Sequence, residues 1–482
     1  MNWAAPVKYV LIVFLTLGPF QCGFFDAIVG AENDETKEVL NLAEIEALAL
    51  KRCSDLAKAR LLIEAAEQDL AKSQAAFFPQ VDLLMLTGPA SDAEKPFVQD
   101  GEIVSRTSRT DYSSINVFAR IELAVTQPLY TFGKLSNSRK AAEQSVRAEE
   151  LHLEQLRREI LRDVRIRYYG LALALMGQAA VEEGDRYLRD LREKVDRLIE
   201  LGAANVELTD RYRVESQWGA LEQSKARVRS ARNKAHRALK SLMEYPDDQD
   251  FEIEDRQLPD LETDLKQESF YSETAVVSRP EILRLEKAIL AKEYQYEALQ
   301  SDRYPDFFAA LRGAVARAPG RERFNDAYIS DEFNEEYIGL VLGGEWHLDF
   351  GLSQADIDRA KIEQLALERE RDVAENGVAL QAANYYQDVI RARDAASAYQ
   401  RSARVSRKWV VTAIADFDMG VGDLRDALEA LDQYGKNRGD YLLNLYDFHV
   451  AKVNLLYASG ILEADQDSAS IGRGKPIELN GN

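Results

Sequence analysis

From about Lys134 to Glu200 the chain has no proline, and only Gly170, Gly177 and Gly184 weaken an otherwise continuous helical pattern. At about 1.5 Å per residue a helix of that extent reaches about 100 Å, far beyond the needs of a globular domain. Such a length implies a rod, a coiled coil or a tunnel. After Gly202 a return helix is expected from Leu208 to Met243, ended by Pro246-Asp247-Asp248. A shorter helix over 42–77 comes first, with Asn41 as N-cap and Pro79 closing it.

The second half of the chain repeats the first. Phe77-Phe78-Pro79 ends the first helix, and Arg303-Tyr304-Pro305 ends a helix that starts near Pro280, so Pro79 and Pro305 stand 226 positions apart. Downstream the offset is 218, from Gly133 to Gly351 and from Gly202 to Gly420. Each copy reads as helix, strand region, long helix, glycine turn and return helix. The first copy is assigned to 32–265 with a hairpin at 80–129, and the second to 266–461 with a hairpin at 306–348. A polar tail occupies 462–482.

The strand regions carry a membrane signal. In residues 115–126, Ile115, Val117, Ala119, Ile121, Leu123 and Val125 alternate with a mostly polar set, over roughly the length of a tilted barrel strand. In 337–346 the apolar set is Ile338, Leu340, Leu342 and Trp346. The copies agree in parity only if one residue is missing between Trp346 and Gly351 relative to Gln127 and Gly133. Strands are also expected at 80–87 and 306–317. The same alternation suits a small soluble sheet with one wet face.

Composition excludes several classes of function. Asp plus Glu number 82 against 61 Lys plus Arg, a net charge of -21, so the chain offers no phosphate-neutralising surface and no nucleic acid is expected as partner. Four His and two Cys are too few for a Cys/His zinc site or a disulfide framework. There is no Walker loop, GxGxxG after a strand, GxSxG or HExxH. The sequence therefore points away from an enzyme; no cofactor and no metal are assigned.

The N-terminus indicates export. Lys8, the apolar run Tyr9 to Phe20 and the small residues Val29-Gly30-Ala31 read as a signal peptide over 1–31. Cys22 is a minority candidate for lipidation. Beyond Ala31 no apolar run is long enough to span a bilayer as a helix. Four strands cannot close a barrel, and an open edge cannot face lipid, so a membrane sheet of this kind must oligomerise. Three copies supply twelve strands. The alternative is a periplasmic coiled-coil adaptor or structural protein without a pore; against it stand two helical hairpins of equal length.

The ordered set of segments resembles the TolC-type outer-membrane efflux protein family over about 40–461. NLAEIEALALKRCSDLAKARLLIEAAEQDLAKSQAAFFPQ (41–80) is similar to the family's first helix, QPLYTFGK (127–134) and WHLDFG (346–351) to its two strand-to-helix junctions, and SRPEI (278–282) to the start of the second copy. GVGDLRDALEALDQYGKNRGDYLLNLYDFHVAKVNLLYASG (420–460) resembles the last helical hairpin. The resemblance implies an α+β membrane protein: a trimeric, 12-stranded outer-membrane β-barrel, four strands per chain, continuing into a long periplasmic α-helical barrel. It implies the exit duct of a tripartite efflux or type I secretion system, working with a periplasmic adaptor and an inner-membrane transporter. The strand positions Ile121, Leu123, Val125, Leu340 and Leu342 are expected to face outer-membrane lipid.

The resemblance also assigns roles at the tip. Asp426 and Glu429, three apart on a helix and so on one face, match the two acidic positions of the family's periplasmic entrance. Thr209 and Asp210 match residues that take part in closing contacts. Phe417 stands where the family can place a gate tyrosine and Gly422 where it can place a gate arginine, leaving Arg425 as a substitute. Gly202 and Gly420 turn the tips, and adaptor docking there is implied by resemblance.

Overall fold

A computed structural model describes residues 38–93, 98–99, 102–103, 110–203, 206–261, 264–319, 321 and 331–463. The signal peptide over 1–31, Cys22 and all of the tail beyond Glu463 lie outside the described residues.

After a short strand, β1 (Glu38–Leu40), the first helix is two helices, α1 (Leu42–Arg52) and α2 (Ser54–Ala75), rather than one over 42–77. Asn41 caps α1 through a reciprocal pair: its Oδ1 accepts the Glu44 N–H, and the Glu44 carboxylate accepts the Asn41 N–H, both at 2.9 Å. Cys53, buried, breaks the run with ψ 118°. The freed start of α2 is capped from far along the chain, where the Ser54 N–H and hydroxyl donate to the Glu244 carboxylate at 2.8 and 2.9 Å. Local sequence carries no glycine or proline to announce this break.

The chain continues through β2 (Gln80–Ala93), the two-residue strands β3 (Val98–Gln99) and β4 (Glu102–Ile103), and β5 (Thr110–Tyr130). The strand expected at 80–87 thus runs on to Ala93, and the one read over 115–126 starts earlier, at Thr110. Then come α3 (Lys134–Glu200, 67 residues), α4 (Leu208–Leu242, 35 residues) and β6 (Phe251–Ile253). The second half follows the same order: α5 (Glu268–Ser278), α6 (Pro280–Gln300), β7 (Asp306–Arg317), β8 (Glu336–Glu345), α7 (Leu352–Asp418, 67 residues) and α8 (Leu424–Ala458, 35 residues). α5 begins twelve positions before the helix start expected at Pro280, separated from α6 by a break at Arg279.

α3 is the spine. Its first half lies between α2 and α6, with Lys134 paired to Asp302 at 2.7 Å. Its second half lies between α4 and α8, where the Tyr434 hydroxyl donates to Glu183 at 2.9 Å. α7 packs on α5, α6 and α8. At mid-length the parallel pair β1–β6 joins both ends of the first copy, and Phe251, Ile45, Tyr168 and Leu239 form a core there. The packed chain reaches Leu462, which is buried against Leu161 and Tyr457.

The sheet is antiparallel in the order β2-β5-β7-β8. Between β5 and β7 the register steps from Pro128–Phe308 to Tyr130–Phe307. Leu129 is the extra residue of a bulge, which accounts for Gln127 to Gly133 being one longer than Trp346 to Gly351. Among the described residues no helix is long and apolar enough to cross a membrane.

Candidate functional site at the sheet face and the helical tips

Side chains alternate across a pleated sheet, so register decides which residues share a face. One row reads Val81, Val125, Leu311, Leu340 and the next Leu83, Leu123, Gly313, Ile338. Ile121 sits between Met85 and Val315, and Leu342 lies opposite Ala309. All five positions singled out from sequence therefore share one face. Ile121 and Leu123 are exposed, Val125 is half-buried, and Leu340 and Leu342 are 75% and 74% exposed. Sequence reasoning did not single out the β2 members Val81, Leu83 and Met85, because Leu84 and Leu86 make the other face of that strand apolar too.

The opposite face differs in chemistry. Arg120 pairs with Glu122 and, at 3.1 Å, with Glu335, while Ala310, Ala314 and Ala316 are buried. Monomeric soluble proteins rarely leave a contiguous apolar face open to water.

At the far end of the long helices both turns close in the same way. Gly202 and Gly420 take φ of +67° and +72°, the left-handed region glycine enters without strain. The Ala203 N–H reaches the Leu198 carbonyl and the Val421 N–H the Asp416 carbonyl, each at 3.0 Å, a paired Schellman closure. Gly422 is glycine for another reason: a Cβ there would lie 2.9 Å from Asp416 Cβ and 3.0 Å from its backbone carbon. The turn has no room for an arginine at this position. The first connection, Glu200 to Leu208, is two residues longer than Asp418 to Leu424.

The tip residues separate into two groups. Thr209 and Asp210 serve their own helix end: Asp210 Oδ2 accepts the Glu207 N–H at 2.9 Å, Thr209 Oγ1 donates to Glu207 at 3.2 Å, and Arg213 pairs with Asp210. Phe417 is 1% exposed, packed among Leu188, Leu191 and Val195 of α3 and Leu424 and Leu428 of α8. Asp426, Glu429 and Arg425 are exposed on the first turns of α8. Among the described residues neither acid pairs with a cation, and the chain does not bring Arg425 to Asp210.

Sequence reasoning missed three links between the hairpins. Lys194 pairs with Asp418, joining the ends of α3 and α7. Glu183 takes the Arg407 guanidinium at 3.2 Å together with the Tyr434 hydroxyl. Burial, reinforced by that bond to Glu183, pushes the Tyr434 hydroxyl up to about 12. Only the spacing of opposite charges in the two copies could have hinted at these pairs.

The model of the outer membrane efflux protein family matches residues 47–244 and 272–460. No curated protein sequence is matched. Among solved structures, the outer-membrane channel OprN is similar at 16% identity and a TM-score of 0.71, covering 87% of this chain and 89% of its own. The Neisseria gonorrhoeae MtrE outer membrane channel, solved in an open state, is similar at 17% identity and a TM-score of 0.70, over 89% of this chain and 91% of that one. The Campylobacter jejuni CmeC outer membrane channel gives 16% identity and a TM-score of 0.66, over 88% and 87%. At these identities the likenesses establish the fold. Both family matches fall on the two halves that share one order of elements, and on that basis the chain belongs to the outer membrane efflux protein family.

Proposed function

We propose that the chain is one subunit of a homotrimeric outer-membrane duct whose helices extend through the periplasm as the exit path of a tripartite efflux or type I secretion system. The observation that carries this reading is the continuous exposed apolar face over all four strands, mounted at one end of two 67-residue helices. Three such sheets supply twelve strands, within the size range of closed outer-membrane barrels. The helices, about 100 Å long, match a duct that leaves the membrane and reaches for partners.

Within this reading Ile121, Leu123, Val125, Leu340 and Leu342 face lipid, and Asp426 and Glu429 gather by three-fold symmetry into a ring of carboxylates at the entrance. Thr209 and Asp210 shape the first tip, while Phe417 holds the hairpins shut by packing. The turns at Gly202, Gly420 and Gly422 meet a periplasmic adaptor, which joins the duct to an inner-membrane transporter. The domain boundaries follow the duplication, with a cleaved signal peptide over 1–31.

Fractionation of the expressed full chain followed by single-channel recording tests the proposal. The expected result is outer-membrane residence and discrete conductance steps from a purified trimer. A soluble periplasmic chain without conductance would leave the poreless adaptor or structural reading in its place.

A further inference from the structure

Beside the β1–β6 pair, residues of α3, α4 and α8 form a cavity of about 390 Å³ that the proposed duct does not use. Leu171, Leu175 and Met176 of α3 and Phe251 of β6 supply apolar walls. His236 stacks on Phe251 with 4.5 Å between centroids and fixes the aromatic wall. Three guanidiniums converge on the same space, from Arg232 of α4, Arg438 of α8 and Arg256 just past β6. A volume of this size, with an apolar wall and convergent polar groups, suits a small molecule.

The charges around it do not balance. Two carboxylates line the cavity and both are engaged: Glu252 holds Arg256 at 3.0 Å, and Glu182 accepts the Gln178 amide at 2.9 Å. Arg232 has one long contact, donating to Gln178 Oε1 at 3.4 Å, and no ion pair among the described residues. Arg438 has less. Its guanidinium lies 5.5 Å from the centre of the Tyr441 ring, and its Nε is closed off from solvent with no acceptor among the described residues. Buried donors without a partner are rare in folded proteins, and a charged one is the most costly kind.

The rest of α4 sharpens the contrast. In a chain of net charge -21, residues 225–240 hold seven Lys and Arg and no Asp or Glu. Lys225, Arg229, Arg232, His236 and Lys240 recur every three or four residues, so they share one side of the helix. Lys225 meets Asp185 and Glu222, and His236 meets Asp250. Arg229 and Arg232 meet no carboxylate among the described residues.

We propose that the cavity binds an organic anion, a carboxylate carried on a compact apolar body. The carboxylate oxygens accept from Arg232 and Arg438, whose planar donor sets match them in pairs, and they supply the acceptor that Arg438 lacks. The apolar body lies on Leu171, Leu175 and Phe251. A water molecule would satisfy the Arg438 donor but leave both charges uncompensated. The site is complete within one chain, so it goes beyond the trimeric reading and does not depend on it.

The test is calorimetric titration of the purified full chain in a neutral detergent, with phenylbutyrate, phenylbutanol and inorganic phosphate as probes. The carboxylate should bind saturably. The alcohol keeps the apolar body without the charge, and phosphate keeps the charge without the body, so each should bind at least about tenfold more weakly. Arg232→Gln and Arg438→Met should each weaken phenylbutyrate binding by about tenfold or more, as loss of a charge-assisted bond does. Arg229→Gln, outside the cavity, should leave it unchanged. Thermal melts without probe separate ligand from scaffold: Arg438→Met keeps the side-chain stem and removes a donor that has no acceptor, so the melting temperature should not fall. A fall would make Arg438 part of the scaffold and overturn its role. The site is overturned if phenylbutyrate does not saturate, if the alcohol or phosphate binds as tightly, or if both variants bind as the parent does. A chain that fails to conduct overturns the duct while leaving this binding test intact.

Discussion

Glu244 sits one residue past the cap of α4 with φ +45°, at the place in its half where α8 has Gly460 at φ +71°. A non-glycine residue tolerates that backbone at a cost, and the carboxylate explains why it is kept: it closes the open start of α2 by accepting from the Ser54 N–H and hydroxyl. Those two bonds, the backbone one first, hold the Glu244 carboxyl below the usual glutamate range. A depressed carboxyl stabilises the fold above its unfolded pKa, about 4.3, and loses that contribution as pH falls through the folded value. Glu244→Gln should therefore be less stable than the parent chain near neutrality, with the difference closing under acid. Thermal melts of both chains across pH, with hydrogen exchange at the Ser54 amide, check it; a pH-independent gap would remove the charge from the account. Gly422 makes the opposite case, a residue defined by missing space. Gly422→Arg should loosen the second tip by about 1–3 kcal/mol, as overpacking does, read as faster proteolysis within 416–424 with the sheet unaffected.

Among the elements, the strands carry the most exposed prediction. Leu123 and Leu340 lie in adjacent rows of the apolar face, so in the proposed barrel Leu123→Arg plus Leu340→Arg would place two charges in hydrocarbon at about 2–4 kcal/mol each near the midplane. Loss of heat-stable trimer from the outer membrane is the expected readout, and normal assembly would count against the barrel. A matched pair on the other face, Ala124→Arg plus Gly339→Arg, should assemble better. Much of this was legible in sequence, because period-two alternation, a missing proline and a glycine at each tip are local signals. Both bounds of the long helix, Lys134 and Glu200, and the Asn41 cap were readable for that reason. The break at Cys53 was not, since a long-range bond from Ser54 to Glu244 stabilises it; the helix start at Pro280 was readable from its proline, but α5 before it was not. The β1–β6 pair was equally hidden: three-residue strands carry no period, and Phe251 is recognisable only by what it packs against. At the tips the residue positions were readable but their partners were not. Asp210 turns toward Glu207 and Arg213 instead of toward the other hairpin.

Seen as a whole, the molecule separates two kinds of surface along its length: an apolar sheet at one end and, at the other, a tip where Asp426 and Glu429 have no cation partner among the described residues. The chain carries -21 net charge, yet Asp185, Asp196, Asp210 and Asp418 near the tips each meet an arginine or lysine. Among the described residues Asp426 and Glu429 do not, and in the proposed trimer that contrast would make them the selectivity element of a symmetric opening. Carboxylates facing one another across a pore concentrate cations and hold them between opposed oxygens. A di- or trivalent cation added on the periplasmic side should therefore block conduction, and Asp426→Ala plus Glu429→Ala should relieve the block. Closure is a separate matter, because like charges repel and cannot draw helices together. In the proposed duct it would rest on the packing around Phe417 and on the Lys194–Asp418 link. The double alanine variant should thus lose cation block without gaining a permanently open state, whereas Phe417→Ala, removing about 3–5 kcal/mol of core packing, should raise the open probability and leave the block in place. Planar-bilayer recordings of these two variants, with Glu215→Ala farther along α4 as control, separate the functions. Block that survives unchanged in the double variant would return both acids to an ordinary solvated helix face.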